Sequence, residues 1–228
     1  VAAPVYPRIL EHVFWRRPES ELEEFISSNT PFVVAGNPMT RRAVNSVSHD
    51  NIGGIYAAVN HLLELGHTRI GYIRLMSGAI GDERYETYVN TLSKKGLSPV
   101  CCWDYSDEYN VMNPPKLSVI RKSFGNNAYP GTAVICDSDL TAIVFMRVMR
   151  EHGLVPGLDI SIVGYDDLEV AALMEPPLTS VRTFESELGS STADLLISCI
   201  EQPGIMYRHI HIGTELRVRA STAPPPER

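Results

Sequence analysis

The sequence lacks most of the features that settle a protein's chemistry quickly. Over 228 residues it holds no apolar run near the roughly 18 residues that a membrane-spanning helix requires. It starts "VAAPVYPRILEH", without the basic segment and apolar stretch of a signal peptide. Positive charge is scarce: 20 Lys and Arg face 27 Asp and Glu, a formal net charge of −7. A nucleic-acid-binding surface usually carries a basic stripe, so this segment is not expected to be one, whatever a longer parent chain holds. Cysteine is scarce too. Cys101 and Cys102 are adjacent, a poor geometry for a disulfide, while Cys136 and Cys199 lie in apolar segments and read as small core residues. No C-x-x-C occurs, which removes the usual zinc and redox motifs and fits a reducing cytoplasm. There is no G-x-x-x-x-G-K-[ST], no G-x-G-x-x-G opening a helix and no G-x-S-x-G elbow. Catalysis, a cofactor and a metal therefore find no support in the motifs.

What is present is an alternation of strand and helix patterns, the mark of a mostly parallel α/β sheet. Strands are expected at "HVFW" (12–15), "PFVVAG" (31–36), "RIGYIRL" (69–75), "VCCWDY" (100–105), "TAVICDSD" (132–139) and "DISIVGYDD" (159–167). "LTSVRTF" (178–184) is extended, and "YRHIHIGTELRVRAST" (207–222) alternates like one or two exposed strands. Residues 40–50 read as a connection. Helices are expected over 18–29, 51–67, 82–96, 115–125, 140–153 and 186–202. In the second of these Ile52, Ile55, Val59 and Leu62 recur at helical spacing and form one apolar stripe, with Gly66 at its end. His61 and His67 do not share a helix face and read as structural. His209 and His211 share a strand face, which suits either a metal or, more simply, solvent.

Two strands end in acid. "DISIVGYDD" closes on Asp166 and Asp167, and "TAVICDSD" on Asp137 and Asp139, with Ser138 between them. Such acids often only cap helices or face solvent at turns. Open α/β sheets, however, bind ligands beyond the carboxyl ends of their strands. Arg84 lies at the start of a helix, where its charge opposes the helix dipole. It either pairs with Asp82 or Glu83, or reaches a ligand. A guanidinium and convergent carboxylates would suit sugar hydroxyls, the first donating and the second accepting hydrogen bonds.

"DNIGGIYAAVNHLLELGHTRIGYI", "RYETYVNTLSKKG", the long run from "TAVICDSD" to "PPLTSVRTFESELG", and the terminal "VRAST" together resemble the lactose/galactose-repressor family. The likeness is to its effector-binding domain and runs in order over roughly residues 31 to 222. It implies a periplasmic-binding-protein-like α/β fold, with two Rossmann-like lobes, parallel sheets and three crossings. The division it implies is 1–46 and 182–205 for the first lobe, incomplete at its N-terminus, and 47–181 with 206–228 for the second. It also implies a cytoplasmic homodimer that senses a small effector by lobe closure and reaches operator DNA through an N-terminal helix-turn-helix outside this chain. A periplasmic sugar-binding protein is the alternative.

Carried over by position, the resemblance puts the family's ligand-gripping Arg on Arg84 and its "G-[YF]-D-D" Asp on Asp166. Its usual Asn falls on Ser138, preceded by Asp137, and its first-lobe acid on Gly36 or Asn37; both are departures. Arg16 lies where the first lobe touches ligand, and Thr183 and Phe184 sit at a crossing. Arg16 opposite Arg84 would favour a sugar phosphate or sugar acid over a neutral sugar. Ile143, Met146, Leu173 and Met174 are expected on a dimer face, or else in the lobe's own core.

Overall fold

The computed structural model describes residues 26, 30–38, 43–76, 78–104, 120–122, 124, 129–202, 204 and 206–227. The strand and helix expected over 12–29 therefore fall, but for Ile26, outside the described residues, as does Arg16. The chain divides into two compact units. The first takes in the described residues up to Asp50 together with Phe184–Gly213; the second is Asn51–Thr183 with Thr214–Arg228. The chain thus passes from one unit to the other after Asp50, Thr183 and Gly213. Residues 206–213, expected with the second lobe, belong to the first unit.

In the first unit, β1 (Val34–Ala35), β2 (Ser46–His49) and β8 (His209–Ile212) form a parallel sheet in the order β1-β2-β8. Helix α5 (Glu185–Glu201) covers it, burying Leu195 and Cys199 with Val33 and Val47. β2 replaces the connection expected there. Its sequence, SVSH, has one apolar residue in four, yet all four are buried. The partner strand explains this. Ser46 pairs in register with His209 and Ser48 with His211. Their hydroxyls meet the imidazole Nδ1 atoms at 2.9 and 3.2 Å. The two histidines are thus rungs of a polar ladder, and burial of the serines costs little because each is hydrogen-bonded.

The second unit is a six-stranded sheet in the order β4-β3-β5-β6-β7-β9. Its strands are β3 (Ile70–Arg74), β4 (Cys102–Asp104), β5 (Ala133–Cys136), β6 (Ser161–Asp166), β7 (Thr179–Arg182) and β9 (Glu215–Arg217). All neighbours are parallel except β7 and β9. Its helices are α1 (Asn51–Glu64), α2 (Ala79–Lys94), α3 (Asp139–Glu151) and the short α4 (Glu169–Leu173). Strand alternation divides the core between the sheet's faces. Tyr72, Ile135, Val163 and Tyr165 meet Ile55, Val59 and Leu62 of α1 and Tyr88 of α2. Ile73, Val134, Cys136 and Ile162 meet Phe145, Met146 and Met149 of α3. Ile52 is 55% exposed and so does not belong to the buried stripe of α1. Met146 is fully buried in the unit's own core, which removes it from any dimer face; Leu173 is 82% exposed. Ile143 is half-buried, and Met174 packs partly on the core.

Buried polar residues fasten the C-terminal segment to this sheet. His67, just past α1, bonds Thr132 Oγ1, Ser161 Oγ and the carbonyl of Ala223 at 2.8–3.0 Å. Burial holds its pKa below the usual histidine value. Ser221 accepts from the Thr179 amide and donates to the carbonyl of Ile162. Among the described residues no helix is long and apolar enough to cross a membrane.

Candidate functional site at the carboxyl ends of the second-unit strands

The strand order places a topological fork between β3 and β5: β4 lies on one side of β3, and the chain returns on the other to form β5. Open sheets bind ligands at such forks, beyond the strand ends. Here the fork is closed by Asp137, the residue after β5. It is fully buried. Its Oδ2 accepts hydrogen bonds from the amides of Leu75 and Met76 at 2.5 and 2.6 Å, and its Oδ1 from Thr141 Oγ1 at 3.3 Å. Burial pushes its pKa up, against the pull of these donors and of Arg84. The carboxylate therefore joins the end of β3 to the start of α3; the expected ligand acceptor is turned inward.

Arg84 lies in the second turn of α2, because the helix starts at Ala79 instead of Asp82. It pairs with neither Asp82 nor Glu83. Instead it is 4% exposed. Its Nε donates to Asn51 Oδ1 at 2.9 Å, and its Nη1 donates to the backbone carbonyl of Asp137 at 2.7 Å. The guanidinium carbon sits 3.5 Å from the centroid of the Tyr165 ring, close enough for a desolvated cation–π contact. Gly54 on α1 permits this arrangement, since a Cβ there would lie 2.6 Å from Tyr165 Oη. Burial works against the charge of Arg84, yet Tyr165, Asp166, Tyr72 and Asp137 hold its pKa above the usual value. Its hydrogen-bond acceptors are neutral, so the positive charge is retained at the strand ends.

Asp166 ends β6 in a backbone conformation with φ +103°, rare for a residue with a side chain. It is half-buried, and its carbonyl accepts from Thr183 Oγ1 at 3.3 Å. Its neighbour Asp167, also at positive φ, is a brace: Oδ1 accepts from Arg219 Nη2 at 2.6 Å, and the Asp167 amide donates to Ser180 Oγ. Asp139 is a second brace. Its oxygens accept from Ser180 Oγ at 2.6 Å and the Leu168 amide at 2.7 Å, and burial pushes its pKa up to about 6. Gly164 on β6 leaves room for it, because a Cβ there would collide with Asp139 Oδ1.

The structure brings Arg84, Asp137, Ser138, Asp166 and Thr183 to one edge of the second unit. Ser138 is the N-cap of α3, its Oγ accepting from the Thr141 amide at 3.3 Å. Thr183 is buried. Asn37 and Phe184 lie in the first unit. Asn37 follows β1 and is half-buried; its Oδ1 has no hydrogen-bond partner among the described residues. Phe184 precedes α5, and its carbonyl accepts from the Leu188 amide. Sequence reasoning missed Asn51, Tyr165 and Met76, whose sulfur lies 3.6 Å from Arg84 Nη1. The available signal was "GYDD": with Gly164 facing α3 and its neighbour facing α2, Tyr165 had to point toward the helix that carries Arg84.

Comparison with known proteins agrees with this geometry. The model of the periplasmic binding protein-like domain matches residues 59–222. HTH-type transcriptional regulator AglR of Rhizobium meliloti (strain 1021) is 31% identical over 222 residues, covering 94% of this chain and 61% of that protein. The arabinose metabolism transcriptional repressor of Halalkalibacterium halodurans is 30% identical over 155 residues, 67% of this chain and 41% of that protein. A solved complex of the transcriptional regulator CelR with cellobiose is 29% identical, with a TM-score of 0.78, over 91% of this chain and 63% of that one. The chain spans between 41% and 61% of the length of the first curated relatives it matches. With two thirds of its length matched by the domain model, and regulators of this type among its relatives, the chain belongs to the periplasmic binding protein-like domain family, in the form carried by lactose-repressor-type transcriptional regulators.

Proposed function

We propose that this chain is the effector-sensing and dimerising part of a cytoplasmic DNA-binding transcriptional regulator, without catalysis of its own. The observation that carries the reading is Arg84, held charged over the Tyr165 face at the strand ends, with the half-buried Asp166 nearby on the same edge. One offers donors and the other acceptors, a combination suited to the hydroxyls of a sugar or sugar derivative. Names of relatives support the class: one is a repressor of arabinose metabolism and another is solved with cellobiose. Ligand binding shifts the regulator between lobe orientations only as far as its affinity differs between them, and a helix-turn-helix carried elsewhere reads out the change.

A thermal-shift screen of sugars, sugar phosphates and sugar acids tests the reading. A ligand at about 100 times its dissociation constant adds roughly 2.7 kcal/mol of stability. A panel that includes arabinose, ribose and cellobiose and returns no stabilising compound overturns it. For the dimer, Leu173 is the exposed candidate. Leu173→Asp is expected to give a folded monomer by light scattering; a folded dimer removes Leu173 from the interface.

A further inference from the structure

Asn51 is the first residue of α1 and the first residue of the second unit after the chain leaves Asp50. It is 2% exposed and uses both atoms of its amide. Oδ1 accepts from Arg84 Nε at 2.9 Å, with Tyr165 Oη at 3.5 Å, and Nδ2 donates to Glu83 Oε2 at 2.9 Å. Two consecutive residues of α2 thus grip one amide from opposite ends. The Glu83 carboxylate can only accept, so it fixes which way the amide faces, and Oδ1 must point at Arg84. A flipped amide would turn its own donors against a guanidinium that has none but donors.

We propose that Asn51 is a positioning residue: with Glu83 as its orienting partner, it sets the guanidinium of Arg84 at the effector edge and ties it to the point where the chain enters the second unit. The proposal rests on the reading of Arg84 as an effector contact. Three constraints then define the cation. Asn51 holds Nε, the Asp137 carbonyl holds Nη1, and the Tyr165 ring covers one face, so the remaining Nη2 edge has a fixed direction. Asn51 is a neutral acceptor, which orients the charge without cancelling it.

The test follows the Nε–H proton of Arg84 by NMR, with its signal identified by its loss in Arg84→Lys. The proton is expected to exchange slowly with water in the unaltered chain. Asn51→Ala should speed that exchange about tenfold or more, since the acceptor is gone. Asn51→Asp keeps an oxygen toward Arg84 and should retain slow exchange, whereas a merely structural role through the Glu83 bond would fail in both variants alike. Unchanged exchange in Asn51→Ala, or equal loss in the Ala and Asp variants, overturns the proposal. Arabinose, ribose and cellobiose then serve as probes. A sugar that binds the unaltered chain should bind Asn51→Ala about tenfold or more weakly, and equal affinity overturns the proposal. If none of the three binds, the function reading fails while the proton exchange still decides the role of Asn51.

Discussion

Asp137 and Asp166 end neighbouring parallel strands, each after an apolar run, and the fold uses them in opposite ways. Asp137 lies at the fork between β3 and β5, where the sheet has two backbone amides with no strand partner. Its carboxylate fills that need and is fully buried. Asp166 lies one strand further on, where β7 runs in register beside β6 and Arg182 stands opposite it. No fork exists there to be closed. Its backbone turns to positive φ and leaves the side chain half-exposed on the edge that Arg84 occupies. The same pattern of strand followed by acid gives a brace at the fork and a candidate ligand contact beside it. Position in the sheet, not the local sequence, assigns the role.

The difference can be broken most severely at the brace. Asp137→Ala would strand two buried amide donors, each costing about 1–3 kcal/mol when unsatisfied. Chemical denaturation should show a stability loss of roughly 3 kcal/mol; a loss below about 1 kcal/mol would mean that water replaces the carboxylate easily. Asp139 gives the next largest effect, through pH. Burial raises its pKa in the folded state to about 6, above the value near 4 of an unfolded chain. The folded state therefore binds the proton more tightly. This group's contribution to stability rises as pH falls from about 6 towards 4, by roughly 2–3 kcal/mol. Asp139→Asn should flatten that part of the stability–pH curve, and an unaltered curve contradicts the assignment. The smallest effect is expected at the partly exposed Asp167–Arg219 pair. Asp167→Asn should cost about 1 kcal/mol or less by thermal denaturation, and a larger loss would make it a brace equal to Asp137.

Much of the second unit was legible because its strands are apolar on both faces and its helices end in glycine, as at Gly66 and Gly96. The strand SVSH was not legible. Its burial depends on a histidine ladder from residues 160 positions away, and no local pattern announces that. The same pairing moved residues 206–213 out of the unit expected for them. At the site, Arg84 and Asp166 could be found from their places at a helix start and a strand end. Asn51 could not, since its role requires α1 and α2 to pack side by side. Asp137 could be named but not understood, because the fork appears only once the strand order is known. Met146 fits a helix-face pattern equally well as interface or core, and packing against Ile73 and Ile162 decides for core.

The most direct test of the account is calorimetric titration of Asp166→Asn with whichever sugar or sugar derivative stabilises the unaltered chain. Losing a charge-assisted hydrogen bond to ligand should cost about 1.5–3 kcal/mol, roughly tenfold or more in affinity. The account predicts that loss with a melting temperature nearly unchanged, the reverse of the behaviour expected at Asp137. Unchanged affinity in Asp166→Asn would contradict it.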